Sequence, residues 1–310
     1  MHWFFIAIIP PILFALVNHL DKYLISRFKN DVTSSERGVG GLILYSTLFC
    51  AFAALFVFIF LGGNVFLPIS DIVILFFVGF SGVFATILYI YAMEKDEASI
   101  VAPLFQMIPV FGLVLEYLIL GIIPSAIHIV GSFIIVIAGI VLATEYEGLN
   151  VKRIKNSIIF LMLGSSFFFS IISILFKYVT KSAENFWVSS FWEYSSWAII
   201  GLFLFVFIKK YRVDFLKSLK HDGHLLFGIN IAGEAVNTVG NSLGNFVALL
   251  VPVVLVYSVE ALQPVFIFLF GIAITVFFPK ISQEDISKKA LLKKGIPILF
   301  MILGTFLILR

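Results

Sequence analysis

The chain has little of what keeps a protein in water or lets an enzyme do chemistry. Charged residues make up 13% of its 310 positions, about half the roughly 25% of an ordinary soluble domain. Cysteine occurs once, at Cys50, inside an apolar stretch. One cysteine excludes an internal disulfide and a CxxC site, and Cys50 reads as a small core residue. The five histidines (His2, His19, His128, His221 and His224) never recur at metal-ligand spacing, and Asp222 beside the last two does not complete a metal site. HExxH and P-loop motifs are both missing. We therefore expect no catalytic residue, no metal and no cofactor, and the missing nucleotide motif also argues against an ATP-driven pump. Lys and Arg sit beside the ends of apolar segments instead of forming a basic surface, so no nucleic-acid partner is read.

What is abundant is apolar surface. Hydrophobic residues reach 61% and the mean hydropathy is +1.11. Such a composition belongs in lipid, where a spanning helix needs about 20 apolar residues. Ten apolar segments separate, near 3–25, 40–61, 71–92, 98–120, 124–144, 156–178, 186–208, 224–246, 250–277 and 294–309. Lipid offers a backbone no partners, so each segment is expected to be helical. A β-barrel would show short alternating strands instead. The expected class is an all-α integral membrane protein with ten transmembrane helices. Met1-His2-Trp3 leads straight into the first segment, so that span is expected to serve as the targeting signal and stay in place. The polar stretch 278–293 could carry a short surface helix.

The segments repeat. Leu20-Asp21-Lys22-Tyr23-Leu24 ends the first and Leu175-Phe176-Lys177-Tyr178-Val179 ends the sixth, 155 residues later. Pro109-Val110-Phe111 recurs as Pro264-Val265-Phe266 at the same offset of 155. Tyr45-Ser46-Thr47 answers Tyr194-Ser195-Ser196 at 149, a longer first loop absorbing the difference. Gly131 and Gly139 have rough counterparts in Gly295 and Gly304. Matches in one order at nearly one offset point to a doubled unit, residues 1–148 and 149–310. Five is odd, so the second unit must enter the membrane from the opposite side, an inverted-topology repeat. Equivalent loops should then carry opposite charge bias. Loop 26–39 holds Arg27, Lys29 and Arg37, against Lys181 alone in 179–185; loop 62–70 holds none, against five in 209–223. Sixteen Lys and Arg lie in loops 26–39, 93–97, 145–155, 209–223 and 278–293, and Lys294 brings that side to 17. The opposite side has two, Lys181 and Arg310. The positive-inside rule makes the rich side cytoplasmic and both termini external.

With the doubled five-helix unit, Ser99-Ile100-Val101-Ala102-Pro103-Leu104 followed by Pro109-Val110-Phe111, and the Gly131-x7-Gly139 helix, the sequence resembles the drug/metabolite transporter superfamily, EamA-like branch. The resemblance covers nearly the whole chain. It implies a ten-helix transporter of the plasma (inner) membrane that exports amino-acid-like metabolites or drugs. Two features depart from that pattern. Gly121-Ile122-Ile123-Pro124-Ser125 lacks the Glu such units often carry after the fourth helix, the nearest being Glu116 inside it. The charge count also places the termini outside, where the family pattern has them inside.

Polar groups inside the spans locate a candidate pathway, because a charge at mid-membrane costs about 2.5–3.5 kcal/mol on insertion scales and must face protein or water. In the eighth segment Asn230, Glu234, Asn237, Asn241 and Asn245 fall at i, i+4, i+7, i+11 and i+15, a stripe roughly 80° wide at 100° per residue. Gly233, Gly240 and Gly244 flank it, where another helix can approach closely. Amides can also act as interhelical glue, but five polar groups on one face exceed that need. The ninth segment adds Tyr257, Glu260, Gln263 and Pro264. Pro264 should kink the helix and leave the Glu260 carbonyl without its donor, beside the carboxylate, as an ion or amine site. Pro109 should free the Phe105 carbonyl likewise, and Pro103 is a further kink position. Glu193 reads equally as pathway or interfacial. Asn18 and Lys22 share a face of the first segment, and Lys22 and Lys177 either snorkel to headgroups or reach inward. The expected function is a secondary transporter or facilitator of a small polar or amphiphilic metabolite, coupled to protons or a cation through Glu234 and Glu260. The alternatives are a translocase of a lipid-linked carrier and a non-transporting scaffold. The oligomeric state is not legible.

Overall fold

The computed structural model describes residues 2–30, 40–95, 102–146, 156–180, 185–221, 223–277 and 288–310. Those residues are helical almost throughout, and no strand occurs among them. The chain begins with α1 (His2–Ala7) and α2 (Ile9–Asn30), which a turn at Ile8 separates just before Pro10 and Pro11. α3 (Gly40–Phe60) and α4 (Ile69–Lys95) follow. A 3-10 turn, Ala102–Met107, leads into α5 (Ile108–Leu120), and α6 (Ala126–Tyr146) ends the first half. The second half runs α7 (Asn156–Val179), α8 (Phe186–Phe207), α9 (Lys209–His221), α10 (Gly223–Leu250), α11 (Val253–Glu260), α12 (Gln263–Phe277) and α13 (Lys288–Ile308).

The described residues of the ten apolar segments are largely helical, with further revisions beyond the split at Ile8 and the 3-10 turn. The ninth is two helices, α11 and α12, joined at Ala261 and Leu262. The stretch 209–223, expected as a loop, contains the amphipathic helix α9, whose Tyr211, Asp214 and Ser218 turn into the protein. The tenth segment starts earlier, at Lys288; the proposed surface helix of 278–293 falls mostly on 278–287, outside the described residues. Among the described residues, six stretches are long and apolar enough to cross a membrane: 2–20, 40–60, 69–92, 157–179, 186–207 and 253–277. Apolar helices over 104–120, 126–141 and 294–308 are shorter. The protein is an all-α integral membrane protein, and its outer surface fits lipid: Phe56, Ile59, Phe66, Phe160, Phe207 and Phe277 are all largely exposed.

Two faces of the bundle can be told apart by their contacts. On one, Trp192 Nε1 donates to the Val65 carbonyl (2.8 Å) and the Phe60 ring packs on Trp187. The starts of α4 and α8 therefore lie together with the ends of α3 and α7. On the other, α9 covers the start of α3 and the end of α4: Tyr91 and Tyr211 share a hydroxyl bond of 3.0 Å, and the Tyr45 ring packs at a tilt against Phe215. This second face carries the exposed Lys209, Lys210 and Lys220.

The halves interlock reciprocally. α4 packs along α7, and α2 along α10; α5 packs on α7, and α12 on α2; α3 meets α8, α5 meets α11, and α6 meets α13. Small residues set the closest crossings. A methyl group on Gly131 would lie 2.9 Å from the Gly304 carbonyl oxygen, and one on Gly304 would lie 2.8 Å from that of Gly131. Only the lack of side chains lets α6 and α13 touch backbone to backbone, the close packing membrane helices use where water supplies no hydrophobic drive. The most continuous buried run is α11, where every residue from Val253 to Val259 is buried.

Candidate functional site

The polar stripe of α10 faces inward. Around the helix, the apolar exposed positions Val239 and Leu250 point roughly opposite the stripe. Gly240 rests on the Phe14 ring of α2, and Gly244 lies where an added methyl would come within 2.7 Å of the Glu260 carboxylate. These two glycines thus permit the close approach expected of them; Gly233 has nothing within 4 Å and plays no such part.

Along the stripe the surroundings change with depth. Asn245, nearest the end of α10, is 3% exposed. Its Nδ2 donates to both Glu193 oxygens (3.1 and 3.3 Å), and its Oδ1 accepts from Ser173 Oγ (2.8 Å). α7, α8 and α10 are joined there by one polar chain. One turn further, Asn241 is exposed although it lies on the inward face, so open space adjoins it. Asn237, Glu234 and Glu260 are partly exposed around the same space. Glu234 accepts from Ser46 Oγ of α3 at 2.5 Å. Asn230, deeper toward the basic face, is buried with a partner of its own.

Glu260 ends α11, and Gln263 and Pro264 start α12. The break sits where Pro264 withholds an N–H from the Glu260 carbonyl. The freed turn closes locally through Ala261 N to Tyr257 O (2.9 Å) and Leu262 N to Val259 O (3.0 Å). Among the described residues, Glu260, Gln263, Asn237, Asn241 and Asn18 make no hydrogen bond or ion pair within the protein. These are the side chains a polar ligand would meet unpaired. Tyr257 is different: its hydroxyl donates to the Ser170 carbonyl (3.0 Å) and its ring fills the space above Gly112, so it is a packing residue at the rim. Pro109 sits in the first turn of α5, where the 3-10 turn gives way to α-helix, at the place in the first half that the α11–α12 break occupies in the second. Pro103 lies within that 3-10 turn and Lys22 within α2; their side chains lie outside those described.

Sequence reasoning gave Glu116 no role and left Lys177 between two readings. Glu116, noted only as the nearest Glu, is fully buried and accepts from the backbone N–H groups of Val253 (2.6 Å) and Val254 (3.0 Å). Lys177, for which snorkelling was one reading, instead reaches inward. Its Nζ donates to the Val251 carbonyl (2.7 Å) and lies 3.8 Å from Glu116. The helix break at 251–252 lies close to the division the sequence placed between segments 224–246 and 250–277, but the acceptor its N–H groups need carried no sequence signal. Gln106, also passed over, is buried against Gly139 with its Oε1 unpartnered among the described residues.

Among the described residues, no group of three or more His, Cys, Asp or Glu is placed to hold a metal.

Residues 3–144 match the family model of the EamA-like transporter family. No curated protein matches the chain. Among solved structures, one described only as a crystal structure of a protein is similar at 12% identity and a TM-score of 0.59, covering 96% of this chain and 97% of that one; the likeness is one of fold. Residues 3–144 are therefore similar to the EamA-like transporter family, a match over just under half of the chain that is consistent with the drug/metabolite transporter superfamily.

Proposed function

We propose that the protein is a secondary transporter or facilitator that moves a small polar or amphiphilic metabolite by alternating access. Two inverted five-helix units, 1–148 and 149–310, would rock about the space between α2, α3, α10 and the α11–α12 break. The observation that carries this reading is the inward face of α10. Asn241 is exposed there while the lipid-facing side of the same helix is apolar, and Glu260 stands beside it without a partner among the described residues. A scaffold would have no use for an unpaired carboxylate at that depth, given the cost of a charge in lipid. The reciprocal packing of α4 on α7 and α2 on α10 supports the inverted repeat.

Asn230, Glu234, Asn237, Asn241, Gln263 and Asn18 line the pathway, with Glu193 and Tyr257 at its closed end. Glu234 and Glu260 take up a cation, a substrate amine or a coupling proton. Lys22 of α2 completes the proposed set of pathway residues. The direction is export of amino-acid-like metabolites or drugs across the plasma (inner) membrane, with basic loops cytoplasmic and both termini outside. Purified protein should show a thermal shift with members of a panel of amino acids, amines, sugars and nucleotide sugars. In proteoliposomes, uptake of the stabilising compound should be lost in Glu234→Gln and Glu260→Gln. Unchanged uptake in both would overturn the carboxylate mechanism.

One observation favours a second reading, translocation of a lipid-linked carrier. An apolar groove of about 310 Å³ lies between α1, α12 and α13, lined by Phe4, Leu262, Val265, Phe266, Met301 and Phe306. It would suit an acyl or prenyl chain beside a polar head in the pathway. Stabilisation by a lipid-linked phosphosugar, and by no water-soluble compound, would select this reading.

A further inference from the structure

Among the described residues, an acid and a base from the two halves meet on the face away from α9. Glu116 belongs to the first half, and Lys177 and residues 251–254 to the second. The Glu116 carboxylate caps the N-terminus of α11 with two backbone bonds of 2.6 and 3.0 Å, while Lys177 donates to the Val251 carbonyl in the break and stands 3.8 Å away. A carboxylate at a helix N-terminus is stabilised by the unpaired N–H groups and the helix dipole. Here a cation on the other side of the break balances it.

Directly beneath this cluster the bundle is shut. Ser173 is one turn below Lys177 and is 8% exposed; Asn245 and Glu193, which it joins, are 3% and 5% exposed. Open space begins one turn deeper, at Asn241. The accessible part of the pathway therefore stops under the Glu116 cluster.

The repeat makes the arrangement one-sided. At the offset of 155 residues, Lys177 corresponds to Lys22, but Glu116 corresponds to Gly271, which has no carboxylate. The second half therefore offers no carboxylate for that contact at the matching position.

We propose that Glu116, Lys177 and the amide end of α11 form the latch that holds the pathway closed on the face away from the basic helix α9, and that they must part for that face to open. The latch is a gating element and touches no substrate. Its purpose rests on the transport reading, but its position is testable without a substrate.

The test is accessibility of Ser173→Cys in a Cys50→Ser background. The intact protein is placed in oriented vesicles, and a membrane-impermeant maleimide is added on either side. With the latch intact, labelling from the Glu116 face should be slow. Glu116→Gln and Lys177→Met each remove a charge-assisted contact, and such a loss shifts a two-state ratio about tenfold or more, so labelling from that face should quicken by a similar factor. Lys177→Arg keeps the charge and should stay protected. Unchanged labelling in both neutral variants overturns the latch, as does a gain from the opposite face alone. Melting curves are taken in parallel; if faster labelling merely tracks unfolding, the cluster is a stability element and the gate is refuted. Failure of the transport reading appears separately, as absent uptake in every variant with the labelling pattern intact.

Discussion

Removing the Asn245 side chain tests whether the polar chain across α7, α8 and α10 acts as a unit. Asn245 supplies both donors that reach Glu193, at 3.1 and 3.3 Å, and accepts from Ser173 at 2.8 Å. With Glu193 at 5% exposure, water cannot replace those donors. A buried hydrogen bond contributes about 0.5–1.5 kcal/mol, and up to about 3 kcal/mol where the acceptor is ionised. Interhelical polar contacts in membranes measure lower, averaging about 0.6 kcal/mol with a maximum near 1.7. The membrane scale applies when the unfolded reference is still in lipid, but the orphaned carboxylate adds to it. We therefore expect Asn245→Ala to destabilise by about 2–3 kcal/mol in SDS or thermal unfolding of the detergent-solubilised protein. Glu193→Gln should cost under about 1 kcal/mol, because a neutral amide keeps an acceptor for Asn245. The decisive quantity is the double variant: with no carboxylate to strand, Asn245→Ala on the Glu193→Gln background should lose most of its effect. Additive losses would show that Asn245 acts by packing alone and would refute the chain.

Gly131→Leu and Gly304→Leu would each drive a side chain into the facing backbone, so each should destabilise by about 1–3 kcal/mol or more, with Gly304→Ala milder, as read by thermal unfolding. Trp192→Phe keeps the ring volume and loses the 2.8 Å bond to the Val65 carbonyl, and should cost about 0.5–1.5 kcal/mol in the same assay. A tag at either terminus should be open to protease added outside intact cells, and replacing Lys209, Lys210, Lys217 and Lys220 by Gln should produce a mixed orientation; internal termini in the unaltered chain would refute the charge-based topology.

Most of the helical plan was legible because lipid leaves so few alternatives. Where the sequence reading fell short, the missing information was long-range. The stretch 209–223 alternates basic and apolar residues and looked like a charged loop; it is helical because Tyr211, Asp214 and Ser218 find α3 and α4 beneath them. The Pro264 kink was readable from one residue, whereas the break at 251–252 depends on Glu116, 137 positions away from Val253. Asn241 and Asn245 look alike in sequence, both amides on one stripe. Neighbours on α7 and α8 seal one, and open space adjoins the other.

The sequence by itself determined that this protein is a membrane-embedded helical chain with a doubled pattern, because hydrophobic length and the need to satisfy every backbone group in lipid are local properties. It also determined that the polar groups of α10 share one face, since helical periodicity requires no more than spacing. Only the tertiary structure decided which of those groups are paired, which face open space, and that Glu116 and Lys177 meet at a helix break. Those outcomes depend on how two halves pack against each other, and no residue carries that information alone.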